Sequence, residues 1–357
     1  SGEIQAVIGV SSMHALSKAF PVMNRHAVPG IAIPLNRAGC KDTDFDREVL
    51  IEALSIEEED VLVLPSHDQV NARVQELFSP ETLRQELLSG NGPAVEFSEE
   101  VVRTMVRGKH YRPLLVVQTC LALSESAEIP GWLERVALAV ECFHKASLVH
   151  DDIEDDDPLR YGAPTVHVRQ GVPVAINIGD YLLGEGYRLL ATAEVPELIR
   201  GRMMAAAAKG HCELALGQGR ELEWRDQEIS MEMLLDIFRL KTAPAFRVAL
   251  EIGGLCAERL ENYREVFREF SEALGIAYQL LDDLDDKADD HSSAVFLCAK
   301  NSQITFEEAR NTVREQYFSC RDKAFAVLER LDSQPLKSLL FRTTAKILDA
   351  DTDTDTD

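Results

Sequence analysis

Glu141-Cys-Phe-His-Lys-Ala-Ser-Leu-Val-His150 runs straight into Asp151-Asp152-Ile153-Glu154-Asp155-Asp156-Asp157, a segment in which six of seven residues are carboxylates. The first part is apolar enough for a core helix, which would carry the acids out at its end. Side chains three and four apart share a helix face, so Asp151 with Asp155, and Asp152 with Asp156, are expected to converge. Such a cluster repels itself and calls for cations. Acidic residues at a helix C-terminus also oppose the macrodipole, so stability alone would not place them after Leu148-Val149-His150. A solvated acidic helix end is the competing reading.

A second copy argues against that reading. Gln279-Leu-Leu-Asp282-Asp283-Leu284-Asp285-Asp286 is again an apolar helix ending in aspartate pairs at the same spacing. Two carboxylate clusters on separate helices can face each other and share hard cations. Magnesium is the natural candidate, because it takes oxygen ligands and bridges one or two carboxylates to substrate phosphates.

Together with Gly108-Lys109-His110-Tyr111-Arg112-Pro113 upstream and Lys241-Thr242 between, the two acidic motifs resemble the trans-isoprenyl diphosphate synthases, also called the polyprenyl synthetase family. The likeness covers roughly residues 75 to 347. It implies an all-α, isoprenoid-synthase-type bundle of about ten or more helices around a central cavity, a fold these enzymes share. It also implies a prenyltransferase that condenses isopentenyl diphosphate with an allylic prenyl diphosphate.

Composition sets the outer limits. At 357 residues the chain is long enough to bury a substantial core, and its 45% hydrophobic content is ordinary for a globular protein. A formal net charge of -24 argues against nucleic acid or an anionic membrane as the main ligand, so an anionic substrate needs local cations to enter. The seven cysteines are dispersed with no C-x-x-C pair, which suggests reduced, buried thiols and a cytoplasmic protein. No apolar run reaches membrane-spanning length, and no signal peptide is evident.

Along the chain, residues 1–70 read as an N-terminal extension of unassigned role. Pro21, Pro29, Gly30, Pro34 and Gly39 favour loops or short extended pieces there, and Val61-Leu-Val-Leu64 fits either a strand or a helical turn. Residues 71–348 form the synthase-like domain. Ser79-Pro80-Glu81-Thr82 combines an N-cap, a proline at the first helical position and an acidic first turn. A helix is expected from Ser98 toward Gly108, and Leu114–Leu123 is apolar almost all round, hence central. Further helices are expected at 131–150, 173–192, 199–221, 231–254, 262–283, 305–330 and 334–348, with no period-two alternation long enough for a sheet. Residues 349–357 are an acidic low-complexity tail expected to be disordered.

The resemblance assigns roles residue by residue. Asp151, Asp152 and Asp155 on one wall and Asp282, Asp283 and Asp286 on the other would hold magnesium, three ions in all, on the allylic diphosphate; Asp156 is a further candidate. Arg160 matches the first arginine of the family's R-R-G, and its fork suits phosphate oxygens. Lys241 and Thr242 match the K-T pair that faces the leaving group and the carbocation. Gln279 matches the glutamine before the second motif, and Gln218, in Gly217-Gln218-Gly219-Arg220-Glu221, a further one. Lys109, Arg112 and His144 fall where the family binds isopentenyl diphosphate. Relatives pair as homodimers, so a homodimer is expected.

The departures keep alternatives open. His110 and Tyr111 replace common Arg-Leu residues, Tyr161 replaces the second arginine of R-R-G, and the glycine-lysine loop after the second motif is missing, with Lys287 a poor substitute. A class I terpene cyclase would need no second diphosphate, and a non-catalytic subunit of a heteromeric synthase is a third reading. In this family bulky side chains four and five positions before the first motif block the chain tunnel. Here those positions hold Ser147 and Ala146, which implies a product of twenty or more carbons, with Phe143 either the tunnel floor or simply core.

Overall fold

The computed structural model describes residues 7–11, 30–37, 44–45, 47–54, 65, 67–88, 95–224, 227, 229–285 and 293–349. Val61–Leu64, Asp286, Lys287 and residues 350–357 lie outside the described residues.

The N-terminal part holds short extended pieces, as its prolines and glycines suggested, but these pair into a small sheet that the sequence did not lead us to expect. Val7–Ser11 (β1) pairs in parallel with Gly30–Arg37 (β2), which takes Asp44–Phe45 (β3) antiparallel on its other side, and Arg47–Leu54 (α1) follows. The reason it escaped notice is physical: Gly30-Ile31-Ala32-Ile33-Pro34-Leu35 has no polar alternation, and an uninterrupted apolar run hides its period.

From residue 67 the chain is almost wholly helical. The succession is His67–Leu77 (α2), Pro80–Leu88 (α3), Val95–Val106 (α4), Tyr111–Ser124 (α5) and Gly131–Glu154 (α6). A two-strand hairpin, Leu159–Arg160 (β4) with Ala163–Pro164 (β5), then leads to Val166–Gln170 (α7), Val172–Ala191 (α8), Glu197–Trp224 (α9), Met231–Lys241 (α10) and Ala243–Cys256 (α11). Leu260–Asp285 (α12), Ala294–Ser302 (α13), Phe306–Leu328 (α14) and Gln334–Asp349 (α15) complete the bundle.

The core sits around α5, whose side chains from Pro113 to Leu123 are all buried. A buried polar residue on this helix must find partners, and Gln118 does so at both ends of its amide. Its Nε2 lies 2.8 Å from His67 Nδ1, and its Oε1 accepts from the Thr343 hydroxyl at 2.9 Å, tying α2 and α15 to the centre.

One expected helix is two. The segment 231–254 breaks at Thr242, because Pro244 has no N–H to give and its ring would clash with the carbonyl of Leu240. The break is clamped from both sides by glycines. A Cβ on Gly217 of α9 would stand 2.6 Å from the Lys241 nitrogen, and one on Gly275 of α12 would stand 2.7 Å from the Ala243 nitrogen. Two helices thus press on the Lys241–Ala243 backbone and fix where Lys241 points. Helix α13, which the sequence reading passed over, starts at an N-cap in which the Ser293 side chain accepts from the Phe296 backbone.

Candidate active site

The first acidic wall is the end of α6. Asp151 is pushed up to about 6, chiefly by burial and then by the neighbouring Asp155, with Lys241 and Arg160 opposing. That is the expected Asp151–Asp155 face. The expected Asp152–Asp156 face does not form. The helix ends before Asp156, which takes a left-handed φ of 54° and leaves its side chain 99% exposed, 3.7 Å from His167 Nε2. A residue in the left-handed conformation terminates the helix and turns the next side chains away from the stripe that the spacing implied.

Asp152 is buried and tied to Arg160, whose Nε and Nη2 donate to its Oδ1 at 2.8 and 2.5 Å. The same guanidinium lies 3.5 Å from Asp151 and 3.6 Å from Asp157. Burial nevertheless leaves the Asp152 carboxyl above its ordinary pKa. Arg160 reaches these acids because β4 and β5 fold back through Tyr161 and Gly162, both at positive φ (52° and 69°), as a tight type I′ hairpin turn requires. Glycine follows the arginine for that reason.

The opposing wall is the end of α12, where Gln279, Asp282 and Asp283 share a helical face. Asp282 is exposed, and the Asp283 Oδ2 accepts from the Ala294 backbone at 2.6 Å, at the start of α13. Lys241, at the end of α10, is close enough to both acidic ends to feel them. Its ammonium is 2.6 and 2.8 Å from the two oxygens of Glu221. Burial disfavours its charge, but Glu221, then Asp151 and Asp283, more than offset this and hold its pKa above the ordinary value. One lysine therefore feels acids from both motifs. Glu221 was quoted in the sequence reading but given no role; only the fold shows it to be the lysine's partner. Thr242 is buried beside it, and the buried Nε2 of Gln218 has no hydrogen-bond partner among the described residues.

A second cluster lies at the start of α5 and on the adjoining turn of α6. Lys109 is exposed. Arg112 stacks over the Phe246 ring at 4.7 Å and donates to His144 Nε2 at 3.0 Å. Burial, reinforced by Arg112, Lys145 and Arg160, keeps His144 well below the usual histidine pKa, so a neutral imidazole accepts that bond. The Arg112 Nε is buried without a partner among the described residues. His110 and Tyr111, the departures noted in the sequence, serve the fold. His110 stacks on Phe78 at 3.8 Å with its ring nitrogens at Gln75 Oε1 and the Met105 carbonyl, and the Tyr111 hydroxyl donates to the Lys346 carbonyl.

Deeper along α6, Ser147 and Phe143 lie on the face of Asp151, while Ala146 is fully buried. The Phe143 ring meets Tyr187 of α8 edge-on at 4.8 Å and rests on Gly186, where a Cβ would stand 2.6 Å from its ring.

The donor set suits a hard cation that brings part of its own shell. Among the described residues no three His, Cys, Asp or Glu side chains gather closely enough to hold an ion unaided. The carboxylates of Asp151 and Asp152, raised by burial, fit magnesium, which takes one or two carboxylates and completes its octahedron with water and phosphate oxygens.

Comparison with known proteins agrees with the motif set. The family model for polyprenyl synthetase matches residues 95–294. A farnesyl diphosphate synthase of Escherichia coli is 31% identical over 267 residues, covering 70% of this chain and 88% of that protein. A short chain isoprenyl diphosphate synthase of Methanocaldococcus jannaschii is 33% identical over 181 residues, covering 50% of this chain and 54% of that protein. Among solved structures, a geranylgeranyl pyrophosphate synthetase from the archaeon Geoglobus acetivorans superposes with a TM-score of 0.68 at 23% identity, over 78% of this chain and 99% of that one. No helix among the described residues is long and apolar enough to cross a membrane.

Proposed function

The chain belongs to the polyprenyl synthetase family and is a trans-prenyltransferase, and on that premise we propose that it joins isopentenyl diphosphate to an allylic prenyl diphosphate in a magnesium-dependent reaction. The observation that carries the reading is that the Lys241 ammonium lies within electrostatic reach of both Asp151 and Asp283, one acid from each motif.

The reaction breaks the allylic carbon–oxygen bond, pyrophosphate leaves with the electron pair, and the double bond of isopentenyl diphosphate attacks the cation before a proton is lost. Its barrier is electrostatic, because pyrophosphate departs only when its charge is met. In this reading Asp151, Asp152, Asp155, Asp282, Asp283 and Asp286 would hold magnesium ions, three in all, and the bound metal would supply Lewis-acid charge for the diphosphate. Arg160 and Lys241 add fixed cations. Both already hold carboxylates, so a phosphate oxygen must exchange with Asp152 and Glu221 respectively, and the paired acids keep each cation aimed meanwhile. Thr242 and Gln279 face the developing cation, with Gln218 beside the lysine.

Lys109, Arg112 and His144 take the second diphosphate. Arg112 and His144 touch each other, which supports a common ligand for the two. With Ser147 and Ala146 small, the product runs to twenty or more carbons and stops against Phe143 and Tyr187. Pairing into a homodimer is part of this proposal, and the exposed Val168, Val172 and Ile176 offer an apolar patch for it.

The test is incubation with magnesium and an allylic diphosphate, with and without isopentenyl diphosphate, followed by product extraction. Longer prenyl diphosphates formed only with both substrates support the proposal. Hydrocarbons or alcohols from the allylic substrate alone would instead reveal a cyclase, and no turnover a non-catalytic subunit.

A further inference from the structure

Tyr161 stands where the resemblance puts a second arginine, so the isopentenyl side is short of one cation. A lysine to which the sequence reading gave no role lies against that tyrosine. Lys145 follows His144 on α6 and is among the most deeply buried side chains of the protein. Its ammonium donates to the Arg107 carbonyl, lies 3.6 Å from Glu141 Oε1 and sits 5.1 Å from the centre of the Tyr161 ring.

The geometry at Gly108 shows what these groups do together. Gly108 has φ +111°, and a Cβ there would stand 2.8 Å from the Lys145 ammonium and 3.3 Å from the Tyr161 hydroxyl. Ammonium and phenol thus flank the glycine that precedes Lys109. The segment Arg107-Gly108-Lys109 is gripped by the Arg107 carbonyl, and the ammonium and the tyrosine together fill the space beside Gly108.

A lysine used only as packing would be a costly choice. Burying an ammonium is unfavourable unless it is well paired, and an apolar side chain of the same length would fill the space. Glu141 pairs it at 3.6 Å, and the other Glu141 oxygen is itself buried with no partner among the described residues. Arg112, Lys145 and Arg160 bring three cations together around the neutral His144, inside a chain of net charge -24. Such a cluster is complete only with an anion.

We propose that Lys145 supplies from α6 the positive charge that the hairpin lacks at Tyr161, and that, by holding the Arg107–Gly108 backbone, it positions Lys109 and Arg112 on the diphosphate of the second substrate. Lys145 is a positioning residue in this account, since its ammonium is enclosed and acts through the loop and through its field. The inference rests on the isopentenyl site proposed above.

The test uses the full chain with magnesium, farnesyl diphosphate and isopentenyl diphosphate, comparing Lys145→Met, Lys145→Arg and the double variant Lys145→Met/Tyr161→Arg. Lys145→Met is expected to raise the KM for isopentenyl diphosphate roughly tenfold, as loss of a charge-assisted contact does, with kcat and the allylic KM nearly unchanged. Lys145→Arg should retain part of the affinity, and Tyr161→Arg should restore most of it in the Lys145→Met background. An unchanged isopentenyl KM in Lys145→Met, equal losses for both substrates, or no rescue by Tyr161→Arg overturns the proposal. If thermal melts show Lys145→Met to be unfolded, Tyr161→Arg alone decides. With Lys145 present it should give no gain in isopentenyl affinity, and a tenfold gain would mean that the cation was missing after all. Wild-type protein that elongates nothing defeats the proposed function itself, whereas active wild type with indifferent Lys145 variants defeats only this inference.

Discussion

The acidic gap between α6 and α12 and the basic cluster at the start of α5 share a border at Arg160, yet their charge problems are opposite. In the gap, carboxylates outnumber cations, Asp151 is held near 6, and even Arg160 and Lys241 are engaged by acids. In the cluster, Arg112 and Lys145 crowd around the neutral His144, with Glu141 an acid that opposes the two cations. In the proposed function the gap would take added cations before a diphosphate, and the cluster would take an anion directly. On that proposal, the contrast teaches that one reaction can divide its two diphosphates by the sign of what each pocket lacks.

The largest effect should come from the gap. Lys241→Ala is expected to lower kcat by roughly 10²–10³-fold, the usual cost of removing one preorganised electrostatic group, with the isopentenyl KM little changed. Rapid-quench measurement of pyrophosphate release checks it. A fall in isopentenyl affinity of the same size would erase the division between the pockets. In the cluster, Arg112→Met should do the reverse, raising the isopentenyl KM roughly ten- to a hundredfold while allylic ionisation persists. Steady-state kinetics with each substrate varied in turn reads this directly.

Smaller effects sharpen the comparison. Gly275→Ala forces a methyl against the Ala243 backbone and should cost about 1–3 kcal/mol of stability, with a loss of kcat because the Lys241 bend shifts. Denaturant unfolding and kinetics on the same preparation would show whether the two losses travel together. Asp151→Asn tests the charge imbalance. Because the folded pKa of Asp151 lies above its ordinary value, the folded state holds the proton more tightly, and stability falls as pH rises from about 4 to about 6. In chelator at pH 7 the variant should therefore melt about 2 °C above wild type, and the gap should close toward pH 4. A lower melting temperature at pH 7 would show that Asp151 is adequately compensated. Finally, Phe143→Ala should lengthen the product, as chromatography of the dephosphorylated alcohols would reveal, without altering either diphosphate affinity.

Most helices could be read from sequence because their apolar stripes are long, and the central α5 was legible as a run with no polar face. What the pattern hid was local conformation. Thr242 splits one apparent helix because a proline two residues on overrules a continuous apolar signal. Asp156 leaves the stripe because α6, although it runs past the expected His150 to Glu154, stops before the left-handed Asp156. The Gly30–Arg37 strand was invisible because an unbroken apolar run has no period to detect.

Spacing and residue type alone determined that two carboxylate clusters end two helices and that the chain is helical, while the motif resemblance pointed to Lys109, Arg112 and Lys241 as the cations to watch. These are properties of the covalent order, since helical periodicity is a local rule. Tertiary structure alone decided that Glu221 holds Lys241, that Arg112 touches His144, and that Lys145 lies beneath Tyr161 at Gly108. Those partnerships join residues from separate helices or from the loops between them. They depend on where packing brings two backbones close, and no rule of sequence spacing contains that distance.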